Sequence, residues 1–461
     1  MTEKQLEKKI LDGGRTLLFS NEDLKRLIIP LVIDQVLART VGMADTMMIS
    51  SVGEAAISGV SLVDMINMLI NAVFAAVATG GAVIASQYLG HRDRKKACEA
   101  SSQLMVVTAV CALLFTVLSL AARKPLLSLL FGQIDADVMD AALTYLTVSA
   151  LSFPFLASFN SSSALFRAMN DSRTPTVVSL GMNVMNLIGN SILIFGMKWG
   201  VAGAAISTLL SRVMAAAVMF ALSLNRERQL YVRPDQMTRF QPTLIGQILY
   251  IGIPSGIENG IFELGRIVVV SMISTFGTVQ IAANAVANNL DSISIIIGQA
   301  MGLAMITVVG QCMGAGEPEQ ASRQTRKLMG WVYVAQGLSN VLVIAGLPLL
   351  IGFYRSLSPE TVALSRTLVL IHSVSALVLW PAAFVLPNAL RAAGDVRFTM
   401  TVSVASMVLW RIGFSWILCV KLGYGATGVW IAMVLDWICR TAFFVWRFCS
   451  GVWKKKRLVE A

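Results

Sequence analysis

At 461 residues, with 56% hydrophobic and 14% charged side chains and a mean hydropathy of +0.71, the chain is too apolar to be a soluble domain and reads as a polytopic membrane protein. The net charge of +11 would suit nucleic acid in a soluble chain, but here the basic residues sort by side of a membrane. The six cysteines are scattered through apolar stretches without a CxxC spacing, and with two histidines they exclude a disulfide framework and a zinc centre.

The opening residues, MTEKQLEKKILDGGRTLLF, mix charges of both signs and have no apolar core, so no cleavable signal is expected. Ser20 and Asp23 have the spacing of a capping box that opens the first helix. Apolar runs of about 20 residues then recur twelve times, centred near residues 38, 70, 112, 152, 186, 210, 262, 296, 340, 374, 408 and 437. Lys4, Lys8, Lys9, Arg15, Lys25 and Arg26 share one side with HRDRKK, Arg167, Arg173, NRERQLYVRPDQMTRF, ASRQTRK, Arg391, Arg397 and KKKR. The opposite loops hold only Arg123, Lys124, Lys198, Arg355 and Lys421. By the positive-inside rule both termini are cytoplasmic; the expected location is the plasma membrane, a bacterial cytoplasmic membrane.

The first span, RLIIPLVIDQVLARTVGMADTMMIS, carries Asp34, Arg39 and Asp45. At 100° per residue Asp34, Asp45, Gly42, Gln35, Thr46 and Arg39 share one arc, opposite Ile33, Val36, Leu37 and Met48. Charges at such depth are costly and mark ion or substrate pathways; the competing reading is that they pair with neighbouring helices to fix packing. Asp64, Asn67 and Asn71 form a polar stripe on the second span.

The chain then repeats itself. With a constant offset of 224 positions, Pro30 meets Pro254, Met48 meets Met272, Gly53 meets Gly277, Gln87 meets Gln311, Arg167 meets Arg391 and Asp171 meets Asp395. After one inserted residue KWGVAG meets GYGATG. The polar residues carry across too: Asp34 corresponds to Glu258, Gln35 to Asn259 and Arg39 to Glu263, while Asp45 faces Val269. Six helices per half return the chain to the same side, so the halves are parallel repeats. The expected fold is all-α: twelve transmembrane helices in two pseudo-symmetric six-helix lobes around a central cleft. The N-lobe spans 1–224, a cytoplasmic linker 225–243 and the C-lobe 244–461. Pro30 and Pro254 each remove a backbone donor inside a helix and are expected bend points, or else static kinks.

Two such bundles describe an alternating-access transporter. The glycine-rich ATGGA and GAGEP lack the lysine of a nucleotide loop, so an ion gradient must drive transport. No nucleophile-base set is present, so the chain is read as a non-enzyme without a prosthetic cofactor.

The motifs GMADTMMISSVG, ASQYLGHRDRKKA, SALFRAMNDSRTP, NVMNLIGNSILIFG and KWGVAGAAIST, with IPSGIENG, VVGQCMGAGE and LPNALRAAGD in the second half, resemble the multidrug and toxic-compound extrusion (MATE) family over essentially the whole length. The resemblance implies export of cationic, amphipathic compounds against entry of Na+ or H+, by a protein that acts as a monomer among lipids with small organic cations as its partners. It also implies that Asp45, Asn186 and Thr208 bind the coupling cation in the N-lobe. Asn190 stands where many members carry a second aspartate. Asp34 could replace that charge, yet eleven residues of helix separate it from Asp45 by roughly 16 Å, and Asp64 is the other acid near the set.

In the C-lobe Glu258, Glu263, Arg266, Asn288 and Asp291 form a candidate cation or substrate site, against the reading that Glu263 and Arg266 merely pair at i, i+3. Arg411, Asp436 and Arg440 read as packing charges between the last two helices, and His372 as a packing histidine. Gln35, Met43, Phe153, Phe155 and Phe159 are candidate substrate-lining residues, since adaptable sulfur and aromatic surface suits flat cations. The rivals are a flippase for lipid-linked saccharides, which would favour a basic cavity, and a non-transporting membrane scaffold or receptor, in which intramembrane acids would have no purpose.

Overall fold

The computed structural model describes residues 18–132, 135–352, 354, 357–456 and 458, and every regular element among them is helical. Lys4, Lys8, Lys9, Arg15, Arg355 and Arg457, used above for sidedness, lie outside the described residues. The first half holds α1 (Asn21–Ser50), α2 (Glu54–Gly90), α3 (Arg94–Ala121), the short α4 (Arg123–Phe131), α5 (Ala136–Ala168), α6 (Arg173–Asn190) and α7 (Gly200–Ser223), followed by a single turn, α8 (Pro234–Met237). The second half holds α9 (Pro242–Ser274), α10 (Thr278–Ser294), α11 (Ile296–Gly314), α12 (Pro318–Gly352), α13 (Pro359–Val378), α14 (Leu386–Ala392), α15 (Val396–Ser406) and α16 (Gly425–Cys449). Among the described residues eleven helical spans are long and apolar enough to cross a membrane. The remaining expected span is α9, as long at 33 residues but carrying Glu258, Glu263 and Arg266.

Ser20 opens α1 with the expected capping box: its hydroxyl accepts from the Asp23 amide while Asp23 accepts from the Ser20 amide. Both prolines sit inside unbroken helices, Pro30 in α1 and Pro254 in α9. The carbonyl of Pro30 accepts a 3.0 Å bond from the Thr176 hydroxyl of α6.

The duplication is visible in the helix boundaries. Glu54 and Thr278 open their helices 224 positions apart, and Gly90 and Gly314 close them at the same interval. The eighth span differs in breaking at Ile295 into α10 and α11, where its counterpart α2 is continuous. A shared close approach supports the same pairing. A Cβ on Gly203 would stand 3.0 Å from the Leu193 backbone, and one on Gly428 would stand 2.8 Å from that of Leu418. Both contacts let the helix entering each half's last span lie directly on the segment before it.

The chain divides into two compact units, Ser20–Gly256 and Ile257–Ala461 together with Met1–Phe19. The division falls inside α9 just beyond Pro254, whereas the sequence places the start of the C-lobe at residue 244. The reason lies in the packing of α9 and of the linker. The first part of α9 lies on α2, where a Cβ on Gly80 would stand 2.4 Å from the Ile248 carbonyl. The Arg94 guanidinium holds the carbonyls of Arg226, Arg228 and Gln229 at 2.7, 2.6 and 3.2 Å. Gln103 holds those of Gln236 and Arg239 at 2.8 Å each. The linker is therefore fastened along the first unit. In the second unit the Leu18 amide donates to Gln320 and Gln324 donates to the Phe19 carbonyl, both at 3.2 Å.

The core of the first unit runs between α2 and α5. Val63, Ile66, Ile70 and Phe74 meet Tyr145, Leu146, Ala150 and Phe153 there, all buried. Steps of three and four, from Val63 to Phe74 on α2 and from Leu146 to Phe153 on α5, make the stripe that the two helices bury against each other.

Candidate functional site

In the first unit a chain of polar groups links α1, α6 and α7. Asn190, fully buried in α6, donates its amide to Asp45 Oδ1 of α1. One turn earlier Asn186 donates to Thr208 Oγ1 of α7 at 3.1 Å, and its carbonyl accepts from Ser207 Oγ at 2.8 Å. Directly after Asn190 the helix widens into a π-helical stretch, Ser191–Gly196, a distortion frequent at functional positions.

Asp64 joins the group from α2. It accepts from Asn67 at 3.3 Å and interacts with the Tyr145 hydroxyl of α5, which also meets Thr208. Arg212, one turn beyond Thr208 on α7, donates from Nη1 to Ser152 Oγ at 2.6 Å, and its charge faces Tyr145, Asp64 and Asp45. Asp45, Asn186, Asn190, Thr208 and Asp64 are thus neighbours, and Tyr145 and Arg212, which the sequence reading did not name for the site, stand with them. Arg212 left a trace in the sequence, because i, i+4 places it on the Thr208 face. Tyr145 is hidden by sharing its helix with core residues.

Asp34 stands apart from this group, as the helix rise requires. It meets Ser179 of α6 and the charge of Arg167 at the end of α5. The second unit repeats the arrangement at the same offset. Glu258 Oε1 lies 2.5 Å from Arg391 Nη2, and Arg391 Nη1 donates to Asn388 Oδ1 at 2.7 Å. The two arginines thus turn inward onto helix acids instead of acting only as loop cations. The register that pairs Asp34 with Glu258 also pairs Arg167 with Arg391, so the signal was present.

The other expected residues of the second unit fall into separate groups. Glu263 and Arg266 pair at 3.3 Å on a solvent-accessible face, as their spacing allowed. Asn288 is exposed and donates to the Asn284 carbonyl at 2.8 Å. Asp291 lies 3.1 Å from Nδ1 of buried His372, whose ring packs edge-on against Trp430 and Trp437. His372 thus has an acidic partner beyond its packing role. Asp436 takes bonds from Arg440 at 2.9 Å and from Ser406, while Arg411 is left as the spare charge nearby.

Among the candidate lining residues, Gln35 is half-buried, Met43 exposed and Phe155 partly exposed. Phe153 is not a lining residue. It is fully buried, 6.2 Å from Phe74 between ring centroids, because a two-residue separation turns it to the opposite side of α5 from Phe155. Phe159 packs against the small cluster of Phe166, Val178, Ala215 and Met219.

The sequence model of the MatE family matches the chain twice, over residues 30–192 and 254–417. The chain belongs to the MatE family. The two matches begin at the two helix prolines, one per repeat. As a MatE protein it is a multi-pass membrane transporter and not an enzyme. It is 28% identical over 436 residues to "Uncharacterized transporter YisQ" of Bacillus subtilis (strain 168), covering 93% of this chain and 94% of that one. It is 26% identical over 454 residues to "Probable multidrug resistance protein NorM" of Thermotoga maritima, covering 95% and 94%. A solved structure described as "Crystal structure of MATE in the bent conformation" superposes with a TM-score of 0.84 at 20% identity, covering 93% of this MatE chain and 95% of that one, which establishes the fold.

Proposed function

We propose that this MatE transporter exports cationic, amphipathic organic compounds from a bacterial cell by alternating access, in exchange for inward movement of H+ or Na+. The observation that carries the reading is the polar chain from Asp45 through Asn190 and Asn186 to Thr208, with Asp64 beside it. It is an acid-rich, oxygen-rich set inside a membrane unit, suited to a hard cation and to a positively charged cargo. Relatives named as multidrug resistance proteins support a drug-like cargo.

In this mechanism the coupling cation neutralises Asp45, removes its attraction for the organic cation, and lets α1 bend at Pro30. The Thr176 bond to the Pro30 carbonyl is the contact that such a bend must break or move. Asp34 with Arg167, and Glu258 with Arg391, hold the first helix of each repeat to its neighbours; Asp291 and His372 form a second, separate polar station. The protein works as a monomer in the cytoplasmic membrane, with both termini cytoplasmic and the coupling ion in place of any prosthetic group. The flippase alternative gains nothing here, because the first unit's set has two carboxylates to one guanidinium.

The test is Asp45→Asn in the full chain reconstituted into liposomes. Export of a cationic dye should lose its dependence on an imposed ion gradient and fall to the leak rate. Dye export that stays coupled in this variant refutes the assignment.

A further inference from the structure

The cation set of the first unit contains a cation of its own. Thr208 and Arg212 stand one turn apart on the same face of α7, and Tyr145 and Ser152 present hydroxyls to them from α5. The guanidinium is anchored at 2.6 Å on the hydroxyl of fully buried Ser152. Its anchor is a neutral group, and its charge is felt by Tyr145 and by the carboxylates of Asp64 and Asp45.

We propose that Arg212 is the resident cation of this site, a specificity-determining residue whose guanidinium fills the electrostatic place of a sodium ion, so that the site of Asp45, Asp64, Asn186 and Thr208 takes no Na+. The inference rests on the proposed transport function and narrows its coupling ion.

Three observations carry it. A guanidinium stays charged at any physiological pH, unlike a lysine ammonium, so the site always holds one positive charge. Two carboxylates and one guanidinium leave a single net negative charge; a bound Na+ would be a second cation fixed beside the guanidinium, whereas a proton is taken up on a carboxylate oxygen and needs no coordination place of its own. At an effective dielectric near 20, repulsion between two like charges a few ångströms apart lowers affinity on the order of a hundredfold.

The third observation is the comparison with the other repeat. The register of Arg212 is occupied in the second unit by Trp437. The buried arginine of that helix, Arg440, lies one turn further on and is already closed on Asp436 at 2.9 Å and on the Ser403 carbonyl at 3.2 Å. At this register the arginine anchored on a neutral hydroxyl belongs to the first unit and has no counterpart in the second. The register of Asp45 is likewise occupied in the second unit by Val269. Asp45 and the arginine belong to the same half of the molecule.

The experiment uses the reconstituted full chain, ethidium as cargo and an imposed pH gradient, with Na+ exchanged for choline at constant ionic strength. Wild type and Arg212→Lys should export at rates that do not respond to Na+. Arg212→Gln should gain a Na+-dependent rate, with stimulation of tenfold or more. Wild-type export that requires Na+ overturns the inference and leaves the transport function standing. A folded Arg212→Gln that remains indifferent to Na+ also overturns it. Absence of ethidium export under any gradient removes the proposed function and this inference with it. If Arg212→Gln does not fold, radioactive Na+ binding to the wild type decides. Saturable binding that disappears in Asp45→Asn overturns the inference, and absence of binding supports it.

Discussion

Replacing Arg391 by Gln should destabilise the protein more than replacing it together with its partner. Arg391 and Glu258 Oε1 meet at 2.5 Å with side chains 14% and 8% exposed, and Glu258 Oε2 has no hydrogen-bond partner among the described residues. The single variant leaves an ionised carboxylate buried without its counter-charge, which costs about 3–5 kcal/mol. The double variant Glu258→Gln with Arg391→Gln leaves two neutral amides and recovers most of that loss. At roughly 2–4 °C per kcal/mol for a unit of this size, the single variant should melt about 6–20 °C lower. The assay is the apparent melting midpoint in detergent, followed by fluorescence-detected gel filtration of heated samples. Arg167→Gln should show a smaller fall, because Asp34 is only half-buried and also meets Ser179. If Arg391→Gln and the double variant melt at the same temperature, the unpaired charge is not the source of the loss and the reasoning fails.

Two further outcomes follow from the packing. Phe153→Ala should cost about 3–5 kcal/mol by opening a cavity beside Phe74, with the KM for dye unchanged in the protein that folds, while Phe155→Ala should leave the melting midpoint close to wild type. Melting and transport measured on the same preparations check both halves of that contrast. Arg94→Ala should release the three linker carbonyls that it holds, and limited trypsin digestion should then cut between Asn225 and Gln241 much faster than in wild type.

Much of the architecture was legible because membrane helices announce themselves by length and polarity, and because the repeat supplies a second reading of every element. The offset of 224 carried from the proline pair to the helix boundaries and to the Asp34 and Glu258 pairs without adjustment. The set of Asp45, Asn186, Asn190 and Thr208 was legible through the family motifs, and its members do meet. Arg167 and Arg391 were harder to place. A positive residue at the end of a span counts as a loop charge, and only three-dimensional packing tells whether its long side chain turns back inward. Tyr145 and His372 were obscured for the opposite reason, since a single polar group on an otherwise apolar helix resembles core filler until its partner is known. Phe153 was misassigned because residues that flank a proline look alike in sequence while pointing to opposite sides of the helix.

The two repeats divide their polar residues into a shared part and a private part. The shared part is an acid on the first helix of each repeat with an arginine from the fourth, Asp34 with Arg167 and Glu258 with Arg391, at identical register. A pairing kept in both halves of a duplicated chain serves what both halves must do, and holding a proline-containing helix to its neighbours is such a task. The private part differs in kind. The first unit has two acids, an asparagine pair and Arg212; the second has Asp291 beside His372, and Asp436 closed on Arg440. In the second unit each of those acids already has a basic partner within 3.1 Å. In the first, Asp45 takes a neutral amide and Arg212 a neutral hydroxyl, so opposite charges are held near each other by groups that cost little to exchange. A charge secured by a neutral partner can be handed to a passing cation; a charge locked in a buried pair cannot, because breaking the pair costs several kcal/mol. On that ground we assign the proposed exchange of ion for cargo to the first unit, and Asp45→Asn should abolish coupling where Asp436→Asn should chiefly reduce the amount of folded protein.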